Sequence, residues 1–322
     1  MRLRLVPENT SWDFFNRAKM WLGVSALLVL VSIGAFASLG LNFGIDFRGG
    51  TTIRTESTQA IVVSEYRDAL ATLDLGDVVI SEVFDVNFRE DQHVAMIRIQ
   101  AQDGQESVTS DVIENAKTAL ATVAPDIKFV SVESVGPKVS GELISTAATA
   151  VALAIAAVLF YIWLRFEWQF ALGAVAALVH DVVLTIGVFA AVQIKFDLAI
   201  IAALLTIVGY SLNDTVVVFD RVRENLIKYK SKDLKEVLNL SINETLSRTF
   251  MTSATTLLAL IALFVLGGDV IRGFVFAMIW GVVVGTYSSI FVASSILLRL
   301  GVKRDWSKPV DTTGNQFGDV DA

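Results

Sequence analysis

Ionisable residues interrupt two long apolar runs of this chain, and they are the side chains that could carry chemistry. Asn213 and Asp214 stand in one run, and His180 and Asp181 stand in another. A charged side chain at the centre of a bilayer costs about 2.5 to 3.5 kcal/mol on insertion scales, so such residues by default mark an ion path or a buried ion pair. The pattern therefore predicts proton or ion chemistry inside a membrane, and no enzymatic covalent step is expected.

Arg248 is the candidate partner of Asp214. At 1.5 Å per residue, Asp214 lies about 8 Å from the inner end of its run, and Arg248 opens the next run at a comparable depth. Two antiparallel helices would bring the carboxylate and the guanidinium within pairing distance. Burial and an opposite charge act on a carboxylate in opposite directions, so the pair could exchange a proton. The alternative is that Arg248 is an anchor whose charge reaches the headgroups.

His180 and Asp181 are neighbours in sequence and therefore lie about 100° apart on a helix. Imidazole titrates near neutral pH, so the two residues could relay protons. Alternatively, they could form hydrogen bonds to neighbouring helices and hold them together. A metal site is not expected, because no second His or Cys stands at ligand spacing, and the absence of cysteine excludes disulfides.

The elements that position these residues follow from composition. Hydrophobic residues make up 54% of the chain, charged residues 18%, and the mean hydropathy is +0.60. Crossing a bilayer as a helix takes about 20 apolar residues. The sequence therefore predicts an α-helical polytopic membrane protein with six transmembrane helices. They lie near residues 20–41, 143–164, 168–194, 198–219, 249–268 and 273–298.

Lys and Arg lie mostly on one side of these spans. They concentrate in residues 1–19, in the connection between the fourth and fifth spans, and in residues 301–322, whereas the short connections on the opposite side hold only Lys195 and Arg272. Cytoplasmic connections retain positive charge during insertion. Both termini are therefore predicted to be cytoplasmic, and residues 42–139 to lie outside.

Residues 42–139 have the composition of a soluble, acidic domain, with sixteen Asp and Glu against eight Lys and Arg. Alternating and helical patterns follow in the order β-α-β-β-α-β, which is typical of an α+β ferredoxin-like domain. An acidic surface argues against nucleic acid as a partner. The rest of the membrane region is assigned to residues 140–300.

The stretch GIDFRGG joins the first span to this domain. Gly44, Gly49 and Gly50 permit turns that other residues resist, and Asp46 could pair with Arg48 or bind backbone amides. A structural junction is the favoured interpretation. A phosphate loop is not expected, because no Gly-Lys-Ser/Thr follows.

Gly281 and Gly285 belong to a ladder of small residues in the sixth span, at every fourth position from 273 to 289. Such ladders let helix backbones approach closely. This face is predicted to pack against another helix, in this chain or in a partner.

Several segments together resemble the SecF family, whose members are subunits of the bacterial Sec protein translocase within the resistance-nodulation-division superfamily. The fourth span and its end, 209–225, carry the strongest resemblance with GYSLNDTVVVFDRVREN. The other segments are GIDFRGG, VGPKVSGEL, VHDVVLTIGVFA and SINETLSRTFMTSATT. They agree in order with the six spans.

The resemblance implies a function in the bacterial inner membrane. Together with SecD, the protein would use the proton motive force to promote translocation of unfolded polypeptides through the SecYEG channel, with YajC as a further candidate partner and membrane lipid around it. It implies a proton-coupling role for Asp214 and Arg248. The coupling ion would be H+, with Na+ left open, and no cofactor is expected. The alternatives are a solute or lipid exporter of the same superfamily, which would need twelve spans, and a passive translocon assembly factor.

Overall fold

The computed structural model describes residues 10–73, 75–76, 78–85, 88–100 and 108–302. The first span is α1, Ala18–Leu39. An extended segment precedes it and lies along the fifth span, where the amide of Asn243 donates to the backbone oxygen of Trp12 and accepts from its nitrogen, both at 2.9 Å. Asn239 accepts from the nitrogen of Phe14 at 2.9 Å. Two asparagine side chains thus hold the backbone of this N-terminal segment.

A short helix and a four-stranded domain follow α1. Their elements are α2 Ile45–Arg48, β1 Gly50–Ser57, α3 Val63–Ala71, β2 Val78–Val83, β3 His93–Gln100, α4 Ser110–Ala121 and β4 Lys128–Val135. The sheet order is β2-β3-β1-β4 and every pair is antiparallel. Ile53 lies opposite Ile97, and Ile97 opposite Ile80, so these side chains share one face. This face packs against α3 and α4 through Leu70 and Leu120, which is the ferredoxin-like arrangement. We call β1 to β4 with α3 and α4 the sheet domain.

Five more long helices follow in the described residues. They are α5 Pro137–Arg165, α6 Trp168–Val192, α7 Leu198–Lys228, α8 Leu234–Leu266 and α9 Asp269–Ser288, which runs through a π-helical turn, Ser289–Ala293, into α10 Ser294–Leu300. Within the described residues, six helices are long and apolar enough to cross a membrane. The predicted fold class, six spans with an α+β domain between the first and second, is confirmed.

Two of the helices extend well beyond their apolar runs. The fourth continues from 219 to Lys228, and the fifth begins at Leu234, fifteen residues before the predicted start at 249. The early part of α8 is helical because it is amphipathic: Val237, Leu238 and Ile242 are buried in the core formed with α6 and α7. A search for continuous apolar runs does not detect such a segment.

The interior of the membrane region is formed by α6, α7 and α9. In the apolar part of each of these helices, at least 44% of the residues are buried inside the protein. In α1, α5 and α8 the corresponding share is 11% or less. The exposed faces carry large apolar side chains such as Leu30, Leu153 and Leu258, as expected for contact with lipid. The ionisable residues of α6 and α7 therefore lie on interior helices, where water and partner side chains decide their charge.

Candidate functional site

Asp181 joins three helices at the centre of the membrane region. The residue is fully buried in α6. Its Oδ2 accepts hydrogen bonds from Ser211 Oγ of α7 at 2.6 Å and from Ser288 Oγ of α9 at 2.8 Å. Its Oδ1 lies 2.9 Å from His180 Nδ1. Both carboxylate oxygens are thus occupied, and the bonds across to neighbouring helices that the sequence left as an alternative are present.

His180 contacts Asp181 through one ring nitrogen only. The other nitrogen, Nε2, is buried and has no hydrogen-bond partner in the described part of the chain. The ring stacks on Tyr287 at a centroid distance of 6.2 Å. A proton relay through the two residues would need a second contact at Nε2, and the described side chains do not supply it. The geometry favours the holding role over the relay.

Asp214 lies on α7 three residues after Ser211 and is 2% exposed. Its Oδ2 is buried and has no hydrogen-bond partner among the described residues. No ion pair within the same residues joins it to Arg248, although the charge of Arg248 acts on it. An unpaired carboxylate oxygen in an apolar interior is costly while it is charged. Asp214 is therefore a buried carboxylate with incomplete hydrogen bonding, and among the described residues His180 Nε2 and the Thr249 hydroxyl also have no partner.

The register between α7 and α8 explains the missing ion pair. Two hydrogen bonds fix it: Tyr210 to Thr256 at 3.2 Å and Asn225 to Ser241 at 3.0 Å. Antiparallel helices with these contacts place Asp214 at the level of Thr252. Arg248 is four residues away along α8, which is about 6 Å or one turn. The comparable depth predicted from the sequence is therefore off by one turn.

Asn213 and Arg248 share a cavity that Asp214 does not line. The cavity has a volume of about 730 Å³ and lies between α5, α7 and α8, with Tyr161 on its α5 side. Both Asn213 and Arg248 are exposed. Adjacent residues of α7 thus point to different places, Asn213 into the cavity and Asp214 into the helix bundle. The predicted polar group of Asp214, Asn213 and Arg248 is divided between two environments.

Asp46 of the glycine junction caps the helix that carries Asp214. Its Oδ2 accepts from the backbone nitrogen of Leu198 at 3.1 Å. Asp197 accepts from the nitrogen of Ala199 at 3.1 Å as the N-cap of the same helix. Two carboxylates therefore satisfy the first amides of α7, where negative charge is favourable. Of the two roles open to Asp46, it binds a backbone amide.

The glycines of the junction fit close contacts and unusual backbone angles. Gly44 donates its N–H to Phe196 O at 2.8 Å, and a Cβ on Gly44 would lie 2.8 Å from Lys195 Cε. Gly49 and Gly50 have φ of 74° and 133°, where other residues are strained. The junction is thus fastened to the connection between α6 and α7.

The small-residue ladder packs within this chain. A Cβ on Gly281 would collide with Ile207, and one on Gly285 would lie 3.1 Å from Ser211 Cβ, so both glycines bring α9 close to α7. This approach places Ser288 and Ser211 around Asp181. Directly after Ser288, the helix makes one π-helical turn, Ser289–Ala293, in place of regular α-helical hydrogen bonds. Across this turn the Ser294 hydroxyl donates to Ser289 O at 3.1 Å.

Sequence reasoning missed Ser211, Ser288 and the π turn. Serine is common in membrane helices at packed faces, so its presence alone identifies no site. The available signal was spacing: Ser211 stands one turn before Asp214, and Ser288 stands beside the last residue of the ladder. Only the packed helices reveal that both hydroxyls reach Asp181.

Two family models match the chain. The model described as "Protein export membrane protein SecD/SecF, C-terminal" matches residues 115–303, and the model described as "SecD/SecF GG Motif" matches residues 34–61. The first match includes Asp181, Asp214 and Arg248. The second includes the glycine junction.

Curated relatives named protein translocase subunit SecF are similar over nearly the whole chain. The relative from Cereibacter sphaeroides is 63% identical over 321 residues, which cover 100% of this chain and 99% of the relative. The relative from Rhodobacter capsulatus is 60% identical over 313 residues, covering 95% and 94%. At greater distance, that from Rickettsia rickettsii is 42% identical over 309 residues, covering 96% and 97%.

Solved structures of SecDF have the same fold. The crystal structure of SecDF from Thermus thermophilus, a translocon-associated membrane protein, superposes with a TM-score of 0.80 at 32% identity. SecDF in its super-membrane-facing form superposes with a TM-score of 0.69 at 33% identity. Each match covers 93% of this chain and 40% of the SecDF chain. The chain thus spans less than half the length of these structures.

Proposed function

Because this chain belongs to the SecF family of protein-export membrane proteins, we propose that it works with a SecD subunit to drive polypeptide export with the proton gradient. The family resemblance drawn from the motifs is confirmed by relatives that match over the whole chain. The export channel would be SecYEG in the bacterial inner membrane, and YajC is a further candidate partner. The concentration of Lys and Arg on one side of the spans supports cytoplasmic termini and a periplasmic sheet domain.

The observation that carries the proposal is the incomplete environment of Asp214. Its buried Oδ2 is without a hydrogen bond in the described residues. An ionised carboxylate is destabilised in such a place, and proton uptake removes the charge. Asp181, on the neighbouring helix α6, already accepts hydrogen bonds from Ser211 and Ser288. Asp214 is therefore the proton site, and Asp181 is the fixed anchor that holds the helices around it.

Arg248 would give the site a second state, in which Asp214 has a cation beside it. It faces a cavity of about 730 Å³ on the other side of α7 and lies one turn from the level of Asp214. A one-turn movement of α8 along α7, a step known from other switching proteins, would bring the guanidinium to the carboxylate and favour release of the proton. Movement back would favour uptake. Export would be driven because the two helix positions differ in proton occupancy.

The test compares Asp214→Asn with Asp220→Asn. Asp220 is also on α7 but pairs with Arg165 at 3.1 Å at an exposed position, so its loss should have little effect. We expect both variants at normal membrane levels, with the gradient-dependent part of export into inner-membrane vesicles lost only in Asp214→Asn. Repeating the assay at fixed pH with and without Na+ separates the two candidate ions. Full activity of Asp214→Asn would favour a passive assembly factor, a function that the holding role of Asp181 would also serve.

A further inference from the structure

Helix α8 carries similar side chains at intervals of one turn. Three pairs of polar residues stand four positions apart along it: Asn239 and Asn243, Thr249 and Ser253, and Thr252 and Thr256. The apolar residues of its early part have the same spacing: Leu234, Leu238, Ile242 and Leu246. A helix that slides by four residues moves about 6 Å along its axis and turns by about 40°. At these places, such a step exchanges one residue for another of similar chemistry.

In two of the polar pairs, the later residue makes a buried contact outside α8. Asn243 binds both backbone groups of Trp12 at 2.9 Å. Ser253 Oγ lies 2.7 Å from Thr286 Oγ1 of α9. Phe15 is buried in the core formed with α6 and α7 and fixes the N-terminal segment there. A slide of α8 therefore changes its register against both this segment and α9.

The earlier residues of the two pairs could take over these contacts. When α8 moves by four residues toward its C-terminus, Asn239 reaches the place of Asn243, and Thr249 reaches the place of Ser253. Thr249 is 2% exposed, and its hydroxyl has no hydrogen-bond partner among the described residues. A buried hydroxyl without a partner is costly. A bond to Thr286 in the second register would remove that cost.

The same step acts on the face of α8 that contacts α7. Tyr210 donates to Thr256 at 3.2 Å, and Thr252 would arrive at the place of Thr256. Arg248 would arrive at the level of Asp214, which Thr252 holds in the structure. One displacement therefore renews three contacts and adds an ion pair.

Other contacts of α8 have no counterpart one turn earlier. Asn225 donates to Ser241 at 3.0 Å and to Glu244 at 2.7 Å, and Arg221 pairs with Glu244 at 3.0 Å. Apolar residues would replace both partners on α8: Val237 and Leu240. The bonds that Asn239 makes to the N-terminal segment would also be lost. The observed register is therefore the more stable one unless the added ion pair offsets these losses.

The connections at the two ends of α8 must change shape when it slides. Residues 229–233 join it to α7, and Gly267 and Gly268 join it to α9. Glycine adopts backbone conformations that other residues avoid. The short connection to α9 is therefore built from the residues best able to follow a step of about 6 Å.

We propose that α8 has a second register, one turn toward its C-terminus, and that Asn239 and Thr249 are positioning residues that hold it there. Asn239 then binds the backbone of Trp12, and Thr249 bonds Thr286. The inference rests on the function proposed above, because the movement acts through proton exchange at Asp214. It adds two defined end points to that movement.

The test is a distance between two spin labels on the full-length chain in lipid nanodiscs, measured by double electron–electron resonance. The chain contains no cysteine, so Leu258→Cys on α8 and Arg299→Cys on α10 place the labels at two exposed sites. Because α10 ends beside the early part of α8, the step should lengthen this distance by about 6 Å. Val192→Cys with Arg299→Cys is the control pair, since α6 and α10 keep their places.

Four substitutions change the balance between the registers in known directions. Asn243→Ala with Ser253→Ala removes contacts made only in the observed register, so the longer distance should gain at least about fivefold in population. Adding Thr249→Val, which removes a hydroxyl bonded only in the second register, should reverse this gain. Tyr210→Phe removes one bond from each register and should leave the ratio unchanged. If the double variant does not fold, Ser253→Ala alone should change the ratio in the same direction.

The proposal is overturned if the variants without Asn243 or Ser253 give only the shorter distance, or if Thr249→Val leaves the longer one unchanged. A change in the control distance would also overturn it, because α8 would then not move alone. The outcome is separate from the export assay. A single distance, together with lost export in Asp214→Asn, would remove the second register and keep the proton role. Two distances with full export in Asp214→Asn would do the reverse.

Discussion

Asp181 and Asp214 are two buried carboxylates on the neighbouring helices α6 and α7, yet they have opposite surroundings. Asp181 accepts from Ser211 and Ser288 and contacts His180. Asp214 has a buried oxygen that accepts nothing in the described residues. Both interrupt apolar runs in the same way, so the sequence alone does not separate them. The difference teaches that, in a membrane, the donors around a carboxylate decide whether it holds helices together or changes its charge.

Removing Asp181, whose two carboxylate oxygens both have partners, should have the largest effect on the free energy of unfolding. Asp181→Ala leaves the Ser211 hydroxyl and the His180 imidazole without this partner, while Ser288 keeps its bond to Gly285 O at 3.1 Å. The loss should cost about 3 to 5 kcal/mol of unfolding free energy. Reversible unfolding in mixed micelles measures the loss. Asp220→Ala is the control and should cost less than about 1 kcal/mol, because its ion pair is exposed. Equal losses in the two variants would show that the buried bonds of Asp181 add no more stability than an exposed ion pair does.

Removing Asp214, the carboxylate with an unpaired oxygen, should change the free energy of unfolding in the opposite direction. Asp214→Leu replaces an unpaired buried group by an apolar one of similar size, which should raise the free energy of unfolding by about 1 to 3 kcal/mol. The same micelle assay measures it, and export should fall because no proton can be bound. A destabilisation as large as that of Asp181→Ala would mean that Asp214 has structural partners after all.

Removing one donor of Asp181 should have a smaller effect. Ser211→Ala should cost about 1 kcal/mol, and should cost almost nothing when combined with Asp181→Ala, because the shared bond is already lost. Ser38→Ala is the control, since its hydroxyl bonds only its own helix at Gly34. Additive losses in the double variant would show that Ser211 acts without Asp181.

Asp126 of the sheet domain extends the comparison to a partly exposed carboxylate outside the membrane spans. Three bonds from Thr58 and Ser57 lower its pKa from 3.8 to about 2, the side-chain bond from Thr58 first. The folded state has the lower pKa, so the contribution to stability is present above about 3.8 and is lost as the pH falls through about 2. Hydrogen exchange at the Thr58 amide should accelerate over this range. An Asp126→Asn variant should show no such change.

The fold followed from periodicity and composition, because six apolar runs and a βαββαβ pattern are local signals. The candidate site followed only in part. Asp181 and Asp214 were found because charge in an apolar run is rare. Their hydrogen-bond partners were not found, because hydroxyl donors from other helices and the one-turn offset of Arg248 depend on packing. The amphipathic start of α8 was missed for the same reason, since its apolar stripe is buried by other helices.

The asparagine contacts of the N-terminal segment have a consequence for biosynthesis. Trp12 is translated 231 residues before Asn243. At ribosomal rates of about 5 to 20 residues per second, the segment waits roughly 10 to 50 s for its binding site. During that interval four spans are translated while the N-terminal segment remains free of its partner. The segment can therefore attach only after the early part of the fifth helix has been made.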